Sequence, residues 1–427
     1  MASDAGYLRR QKESLDHTLR SPHGETGIIV VIPCFHEPGL LSTLRSLAAC
    51  RGQRCAVEVI VVFNHPENTP AEVLNQHRQV LKQADSWKKD LSSPRFNITC
   101  ADAGAVPSSH AGPGFARKLG MDLAVFWFHQ LQKPKGIIVS LDADSRCEPD
   151  YFTALETHFT TYPSLTGCSI YFEHPLEGDE FPDILYEGII RYELHMRYHI
   201  RALRQTTFPY AFHTVGSCFA VRADVYVSQG GMNKRKAGED FYFLHKIIPN
   251  GYYRELNSTR IIPSPRPSER VPFGTGPRMS AWLRNPFQPI LTYHYDAYRM
   301  LASFFAMKEE YYRAGTNEVQ KLIRSLPHPL RLFLENHQAV SAIDEINSNV
   351  ASVRSFVKRF FGWFNAFRII KYLNHVHTLG IERIAVKEAV LLLMEDIGMK
   401  CGEMVSEKDL LLALREMDRA VEFKTAE

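Results

Sequence analysis

Two carboxylates, Asp142 and Asp144, follow a largely apolar run that covers residues 137–141. Such a run is typical of a buried β-strand, and side chains two positions apart on a strand point in the same direction. An open α/β sheet binds its ligand at the carboxyl ends of its strands, where hard oxygen ligands suit Mg²⁺ or Mn²⁺ against a diphosphate. The pair predicts an enzyme acting on a nucleotide-linked substrate. A solvated loop or a helix cap explains an isolated Asp-x-Asp triplet equally well.

A second candidate site lies at the start of a helical pattern over residues 115–130, which follows Gly112-Pro113-Gly114. Arg117 and Lys118 fall in its first turns, where free backbone N–H groups favour anions. The glycines alone would also explain a break in the chain before the helix.

The elements that must position these residues alternate between strand and helix. We predict strands over 27–33, 57–63, 96–101, 137–141, 166–172 and 214–221, with helices between several of them. Alternation of this kind indicates an α/β fold with a mostly parallel central sheet flanked by helices. From about residue 285 the pattern is helical with no strand signal. We predict an N-terminal helical segment (1–26), a sheet domain (27–285) and a helical C-terminal domain (286–427).

Composition excludes several classes of protein. The chain has 427 residues, of which 45% are hydrophobic and 23% charged, as in soluble globular proteins. A formal net charge of +3 gives no general argument for nucleic-acid binding, so we expect no nucleic-acid partner. The eight cysteines include no Cys-x-x-Cys pair, which favours reduced thiols. Because we find no secretory signal and no apolar run long enough to span a bilayer, we expect a cytoplasmic protein.

Residues 353–373 form an amphipathic helical pattern with a Phe-rich face and Arg or Lys largely elsewhere. A basic amphipathic helix can lie on a membrane surface, which would place the protein peripherally at the inner face of the membrane. Docking against the sheet domain or against a second subunit, as in a homodimer, explains the same pattern and is favoured here.

Four sequence motifs, taken in order, resemble those of the family-2 glycosyltransferases, which have the nucleotide-sugar-binding GT-A fold. The resemblance covers about residues 27–275. Residues 31–37, Val-Ile-Pro-Cys-Phe-His-Glu, resemble the opening strand and its Pro-x-x-Asn-Glu turn. Residues 114–120 resemble the Ala-Arg-Asn-x-Gly helix, residues 141–144 the metal-binding triplet, and residues 238–240 the late Glu-Asp motif.

The resemblance implies roles for individual residues. Asp142 and Asp144 would hold Mn²⁺ or Mg²⁺, and Asp240, with Glu239 as second candidate, would be the general base of an inverting displacement. A charge complement to the helix N-terminus is the structural alternative for these two acids. The residues that would bind the nucleotide-diphosphate sugar donor are Pro33, Glu37, Asn64, Arg117, Asp142, Arg266 and Arg270. A solvated basic loop is the alternative for Arg266 and Arg270.

The sequence also departs from the family. Phe63-Asn64-His65-Pro66 stands where many members have Asp-Asp-Gly-Ser, and His36 and Lys118 replace asparagines. The sugar, the nucleotide base and the acceptor are therefore left open, the acceptor being a glycan, a lipid-linked molecule or a small molecule. A nucleotidyltransferase is disfavoured because the turn at residues 34–39 has no Arg or Lys. A catalytically silent GT-A domain that binds a glycan or a partner is the alternative from outside the enzymes.

Overall fold

The computed structural model describes residues 2–11, 20–234, 238–286, 288–400, 402 and 405–425. Residues 12–19 of the predicted N-terminal segment and Cys401 lie outside this set. Two compact units are present: unit 1 contains 1–186, 213–284 and 418–427, and unit 2 contains 187–212 and 285–417. The predicted domain limits at 26/27 and 285/286 stay a prediction, because a compact unit need not fold alone.

Unit 1 is built on a sheet that has eight strands among the described residues, in the order β3-β2-β1-β4-β7-β6-β8-β5. The strands are β1 Thr26–Cys34, β2 Ala56–Pro66, β3 Phe96–Val106, β4 Ile137–Ser140, β5 Arg146–Cys147, β6 Gly167–Phe172, β7 Phe219–Arg222 and β8 Tyr253–Ile262. The α/β fold with flanking helices is confirmed. Among the described residues four of the seven strand pairs of this sheet are parallel, namely β1–β2, β1–β4, β2–β3 and β6–β8. The predicted mostly parallel sheet is thus a mixed one, because β7 is antiparallel to both of its neighbours and β5 is antiparallel to β8.

Helices cover this sheet because its strands are apolar on both faces, which is typical of parallel sheets. Residues 28–32 of β1 and 59–63 of β2 are fully buried. The helices that begin in unit 1 are α1 Ala2–Arg9, α2 Leu40–Ala48, α3 Ala71–Leu91, α4 Pro113–Gln130, α5 Tyr151–Thr161, α6 Asp183–Gln205, α7 Ala223–Ser228, α8 Glu239–Ile247 and α9 Thr275–Arg284.

Strand β8 was not predicted, and its outer partner is a segment distant in sequence. Residues 418–425 lie along it: Glu255 N donates to Phe423 O at 2.9 Å, and Thr425 N donates to Tyr253 O at 3.0 Å. The strand predicted over 214–221 is wrong at its start, since β7 begins at Phe219. The carbonyl of Gly216 instead accepts a hydrogen bond from the Ser140 hydroxyl at 2.6 Å.

Unit 2 is helical, which confirms the helical C-terminal region. Its further helices are α10 Tyr295–Ala306, α11 Thr316–Arg324, α12 His328–Asn336, α13 Ala339–Ser348, α14 Val353–Trp363, α15 Ala366–Val376, α16 Val386–Asp396 and α17 Glu407–Ala420. The expectation of no strand is wrong, because β9 Leu291–Thr292 and β10 Ile384–Ala385 form a short antiparallel pair. Within the described residues, no helix combines the length and the apolar content that a membrane crossing needs.

The amphipathic pattern over 353–373 forms two helices, α14 and α15, rather than one. The break comes at Asn365, whose side chain accepts a hydrogen bond from Arg368 N and so caps α15. Phe356, Phe360, Phe361 and Phe364 are buried inside unit 2, where the ring of Phe360 lies 5.2 Å from that of Phe304. Packing within unit 2 therefore accounts for this aromatic face. Membrane contact and a homodimer stay predictions.

Candidate functional site

The loop after β4 presents Asp142 and Asp144 at the carboxyl end of the sheet. Strand β4 pairs in parallel with β1, Val31 opposite Ser140, so the ends of the two central strands meet. A turn closes the loop, with Ser145 N donating to Asp142 O at 3.1 Å. The side chains of Asp142 and Asp144 are 38% and 28% exposed. Both carboxylates therefore lie at the surface of a buried strand end, as the sequence predicted.

Arg117 links two of the predicted site residues. Helix α4 can lie close to the sheet because Gly120 has no side chain; an added Cβ there would lie 2.4 Å from Val31 Cγ1. This approach places Arg117, one turn earlier, where Nη2 donates to Asp142 and Nη1 to Glu239. Burial lowers the pKa of Arg117, but the neighbouring carboxylates outweigh it and raise that pKa, so the guanidinium is a permanent cation.

Glu239 and Asp240 open helix α8, after Gly238 in the left-handed conformation at φ 72°. Burial raises the pKa of Glu239 to about 7, against the opposing effect of Arg117. Burial also raises the pKa of Asp240, again opposed by Arg117. The Asp240 carboxylate accepts the N–H of Phe241 at 2.7 Å. Glu239 is buried and ion-paired, whereas Asp240 is partly exposed.

Arg266 and Arg270 form ion pairs with a second group of carboxylates, Glu37 and Asp144. Arg266 Nη2 donates to Glu37 Oε2 at 2.5 Å and to Asp144 Oδ2 at 3.3 Å. Arg270 Nη2 donates to the same Glu37 oxygen at 2.9 Å, and its Nη1 to Phe35 O at 2.6 Å. The predicted basic loop thus contacts the site rather than solvent alone.

The acidic cluster, defined as Glu37, Asp142, Asp144, Glu239 and Asp240, carries more charge than its arginines neutralise. Three guanidinium groups form ion pairs with four of these carboxylates, and Asp240 is the fifth, so two negative charges remain when all five are ionised. Burial, Glu37 and Asp142 raise the pKa of Asp144 to about 7, although Arg266 and Arg270 lower it. Such a surplus fits a divalent cation.

The carboxylates of this site could supply only part of the ligands of a metal ion, with a bound substrate supplying the rest. Within the described residues, no group of three His, Cys, Asp or Glu side chains is arranged to hold a metal ion by itself. Mg²⁺ is often held by one or two carboxylates together with substrate phosphates. Asp142 and Asp144 are thus the residues that could hold a cation, with the remaining ligands supplied from outside the protein.

Two of the predicted binding residues lie on the neighbouring strands. Pro33 is on β1 opposite Val62 of β2. Asn64 is buried near the end of β2, and its Nδ2 donates to Gly112 O at 3.5 Å. Within the described part of the chain, no hydrogen bond or ion pair joins either residue to the acidic cluster.

Gly216 is a site residue that the sequence did not suggest. A Cβ at this position would lie 2.7 Å from Arg117 Nη2 and 3.0 Å from Asp240 Oδ2, so the backbone itself packs against both side chains. The Gly-Ser pair before Cys218 was the only sequence signal, and it is common in loops.

No family model matches the sequence, and no curated protein matches it. Among solved structures, S. aureus TarS 1–349 in complex with UDP-GlcNAc is similar at 13% identity and a TM-score of 0.40, over 75% of this chain and 89% of that one. The same protein in complex with UDP is similar at 13% identity and a TM-score of 0.40, over 80% and 93% of the two chains. Similarity at this level leaves the assignment of function to the residues of the chain itself.

Proposed function

We propose that this protein is a glycosyltransferase that moves a sugar from a nucleotide-diphosphate sugar to an acceptor hydroxyl. One observation carries the proposal: residues from five distant segments, Glu37, Arg117, Asp142 with Asp144, Glu239 with Asp240, and the loop with Arg266 and Arg270, meet around one surplus of negative charge. The family resemblance assigns residues from four of these segments to this single reaction, and the charge of Arg266 and Arg270 suits the same diphosphate. A random set of motifs would have no reason to converge.

Asp142 and Asp144 would hold Mn²⁺ or Mg²⁺ at this site. Two features support their fit to a cation, namely the uncompensated charge of the cluster and the exposure of about a third of each side chain. When bound, such an ion supplies Lewis-acid stabilisation of the charge on a departing diphosphate.

Arg266 and Arg270 would complete the diphosphate site. Both guanidinium groups lie on Glu37, and Arg266 also reaches Asp144. An arriving diphosphate offers them more negative charge and bidentate acceptors, so we expect the two arginines to turn toward it. Arg117, whose two terminal nitrogens already bind Glu239 and Asp142, would act by orienting Asp142 rather than by binding phosphate.

Asp240 is the better of the two candidate bases. Glu239 is 2% exposed and bonded to Arg117, so it cannot reach an acceptor. Asp240 is partly exposed, and its raised pKa makes it a stronger proton acceptor than an ordinary carboxylate. In the proposed step the acceptor hydroxyl gives its proton to Asp240 while its oxygen attacks the anomeric carbon opposite the leaving diphosphate. A single displacement of this kind inverts the anomeric configuration.

The test is a nucleotide-release assay with a panel of nucleotide sugars and Mn²⁺. We expect turnover in the native protein and its loss in Asp240→Asn, which removes the base and keeps the shape. Asp85→Asn is the matched control, since Asp85 is a half-exposed residue of α3 paired with Lys88. The products should show an inverted anomeric centre by NMR.

The silent-domain alternative predicts a different result. Because arginines already pair with the acidic cluster, a module that only binds glycan would also be stable. It would release no nucleotide with any donor, and Asp240→Asn would behave like the native protein.

A further inference from the structure

One face of helix α2 contacts the loop that carries the two aspartates. Thr43 and Ser46 lie three positions apart, hence on the same helix face. The Thr43 hydroxyl donates to Ala143 O at 2.9 Å, and the Ser46 hydroxyl accepts the N–H of Cys147 at 3.3 Å. Helix α2 therefore holds both the start and the end of this loop.

Thr43 acts on the peptide bond between Ala143 and Asp144. The residue is 0% exposed, so water cannot replace its hydroxyl as the donor to this carbonyl. Rotation of that peptide would turn Asp144 relative to Asp142. The hydrogen bond therefore fixes the separation of two carboxylates that otherwise repel each other.

We propose that Thr43 is a positioning residue for the divalent cation, acting through the Ala143 carbonyl on Asp144. The inference rests on the proposed function, since it assumes that Asp142 and Asp144 bind metal. Groups that orient metal ligands commonly contribute about tenfold or more to metal affinity.

The test is calorimetric titration of the full chain with Mn²⁺ in the presence of inorganic diphosphate, which supplies the ligands that the protein does not. We expect Thr43→Val, which keeps the shape and removes the hydroxyl, to weaken Mn²⁺ binding about tenfold. Thr43→Ser restores the hydroxyl and should restore most of the affinity. Ser46→Ala removes a contact at the other end of the loop from a less buried position, and we expect a smaller loss.

Native affinity in Thr43→Val would overturn the inference and leave the proposed function intact. Absence of Mn²⁺ binding to the native protein with diphosphate present would overturn both. Urea unfolding of each variant separates a local effect on the loop from a general loss of stability.

A pair of thiols lies next to helix α2 and the aspartate loop, and it is independent of Thr43. Cys50 follows α2, and its Sγ lies 3.7 Å from Sγ of Cys147; the two residues are 3% and 7% exposed. The hydrogen bond from Cys147 lowers the pKa of the Cys50 thiol, which favours Cys50 as the nucleophile.

We infer that Cys50 and Cys147 form a reversible disulfide under peroxide. The Cys50 thiolate attacks the peroxide oxygen and becomes a sulfenic acid with release of hydroxide. The Cys147 sulfur then attacks the sulfenic sulfur, its proton leaves with the departing oxygen as water, and the S–S bond forms. The thiols are oxidised by two electrons and the peroxide is reduced. Because Cys147 follows Asp144 by three residues, the bond would change the loop that holds the carboxylates.

Mass spectrometry of peroxide-treated protein, digested without reductant, tests this inference. We expect peptides containing Cys50 and Cys147 to be joined with loss of two hydrogen atoms, and dithiothreitol to reverse the link. The treated protein should also bind Mn²⁺ several-fold differently, whereas Cys50→Ser should not respond and Cys100→Ser should respond like the native protein. Oxidation of Cys100 without this cross-link, or a cross-linked protein with native Mn²⁺ affinity, would refute the switch.

Discussion

Replacing Gly216 by alanine tests the centre of the site directly. The added methyl carbon would lie 2.7 Å from Arg117 Nη2, a distance that real carbon atoms essentially never show, and 3.0 Å from Asp240 Oδ2, which is tighter than most real contacts. Arg117 cannot withdraw cheaply, because it is 3% exposed and its two terminal nitrogens bind Asp142 and Glu239. The backbone at residue 216 must therefore move away from Arg117, which disturbs its packing against the Asp240 carboxylate as well.

The size of the effect follows from this crowding. Forcing a methyl group into a well-packed site costs about 1–3 kcal/mol of unfolding free energy. Displacement of a catalytic group by about an ångström costs about a hundredfold in turnover. Urea unfolding and nucleotide release measure the two effects on the same preparation. We expect both losses in Gly216→Ala.

Gly362→Ala is the control. Gly362 is exposed in α14, and an added Cβ there meets no atom within 4 Å. Alanine is favoured over glycine inside a helix by about 1 kcal/mol, so this variant should be as stable as the native protein or more so. If Gly216→Ala unfolds and turns over like Gly362→Ala, the argument from packing at Gly216 is wrong.

Three further outcomes are expected. Asp144→Ala should abolish the Mn²⁺-dependent binding of nucleoside diphosphate in calorimetry with an unchanged circular dichroism spectrum, because it removes a carboxylate ligand. Burial lowers the pKa of His77 to about 4. Since the unfolded chain then binds the proton first, this residue should lower the free energy of unfolding by about 2–3 kcal/mol as the pH drops from 7 to 4, and urea unfolding of His77→Gln should lack that part of the dependence. Glu193→Ala should cost about 3–5 kcal/mol in urea unfolding because it removes the buried carboxylate that both Arg415 and Arg197 bind, whereas exposed Glu187→Ala should cost under about 1 kcal/mol.

The central strands and helix α4 were predictable because their signal is local. Continuous apolar runs such as residues 28–32 are buried on both sheet faces, and a run of this kind predicts a buried strand without knowledge of its partners. Strand β8 gave no such signal, since Arg254, Glu255 and Asn257 interrupt it. Their partners come from residues 418–425, where Asp418 O accepts the amide of Asn257 at 2.7 Å. A pairing across more than 160 positions leaves no trace in a local pattern.

The candidate site, too, was predictable only as far as its signals are local. Its residue types and their order indicated which segments matter, and ion pairs join seven of the ten predicted residues in two neighbouring groups. The sequence could not show that Arg117 forms ion pairs with Asp142 and Glu239, because ion pairing depends on distances between segments. It also could not show the role of Gly216, which matters because it has no side chain and so leaves room for Arg117 and Asp240.

Residues 418–425 bind the edge of β8, although unit 2 is encoded between the two. A ribosome releases the chain from its N-terminus, so unit 1 has no partner for that edge until more than 150 further residues have been made. During this interval the main-chain groups of Tyr253 and Glu255 are open to other extended segments. Nascent or prematurely terminated chains would therefore be the forms of this protein that most need chaperone protection.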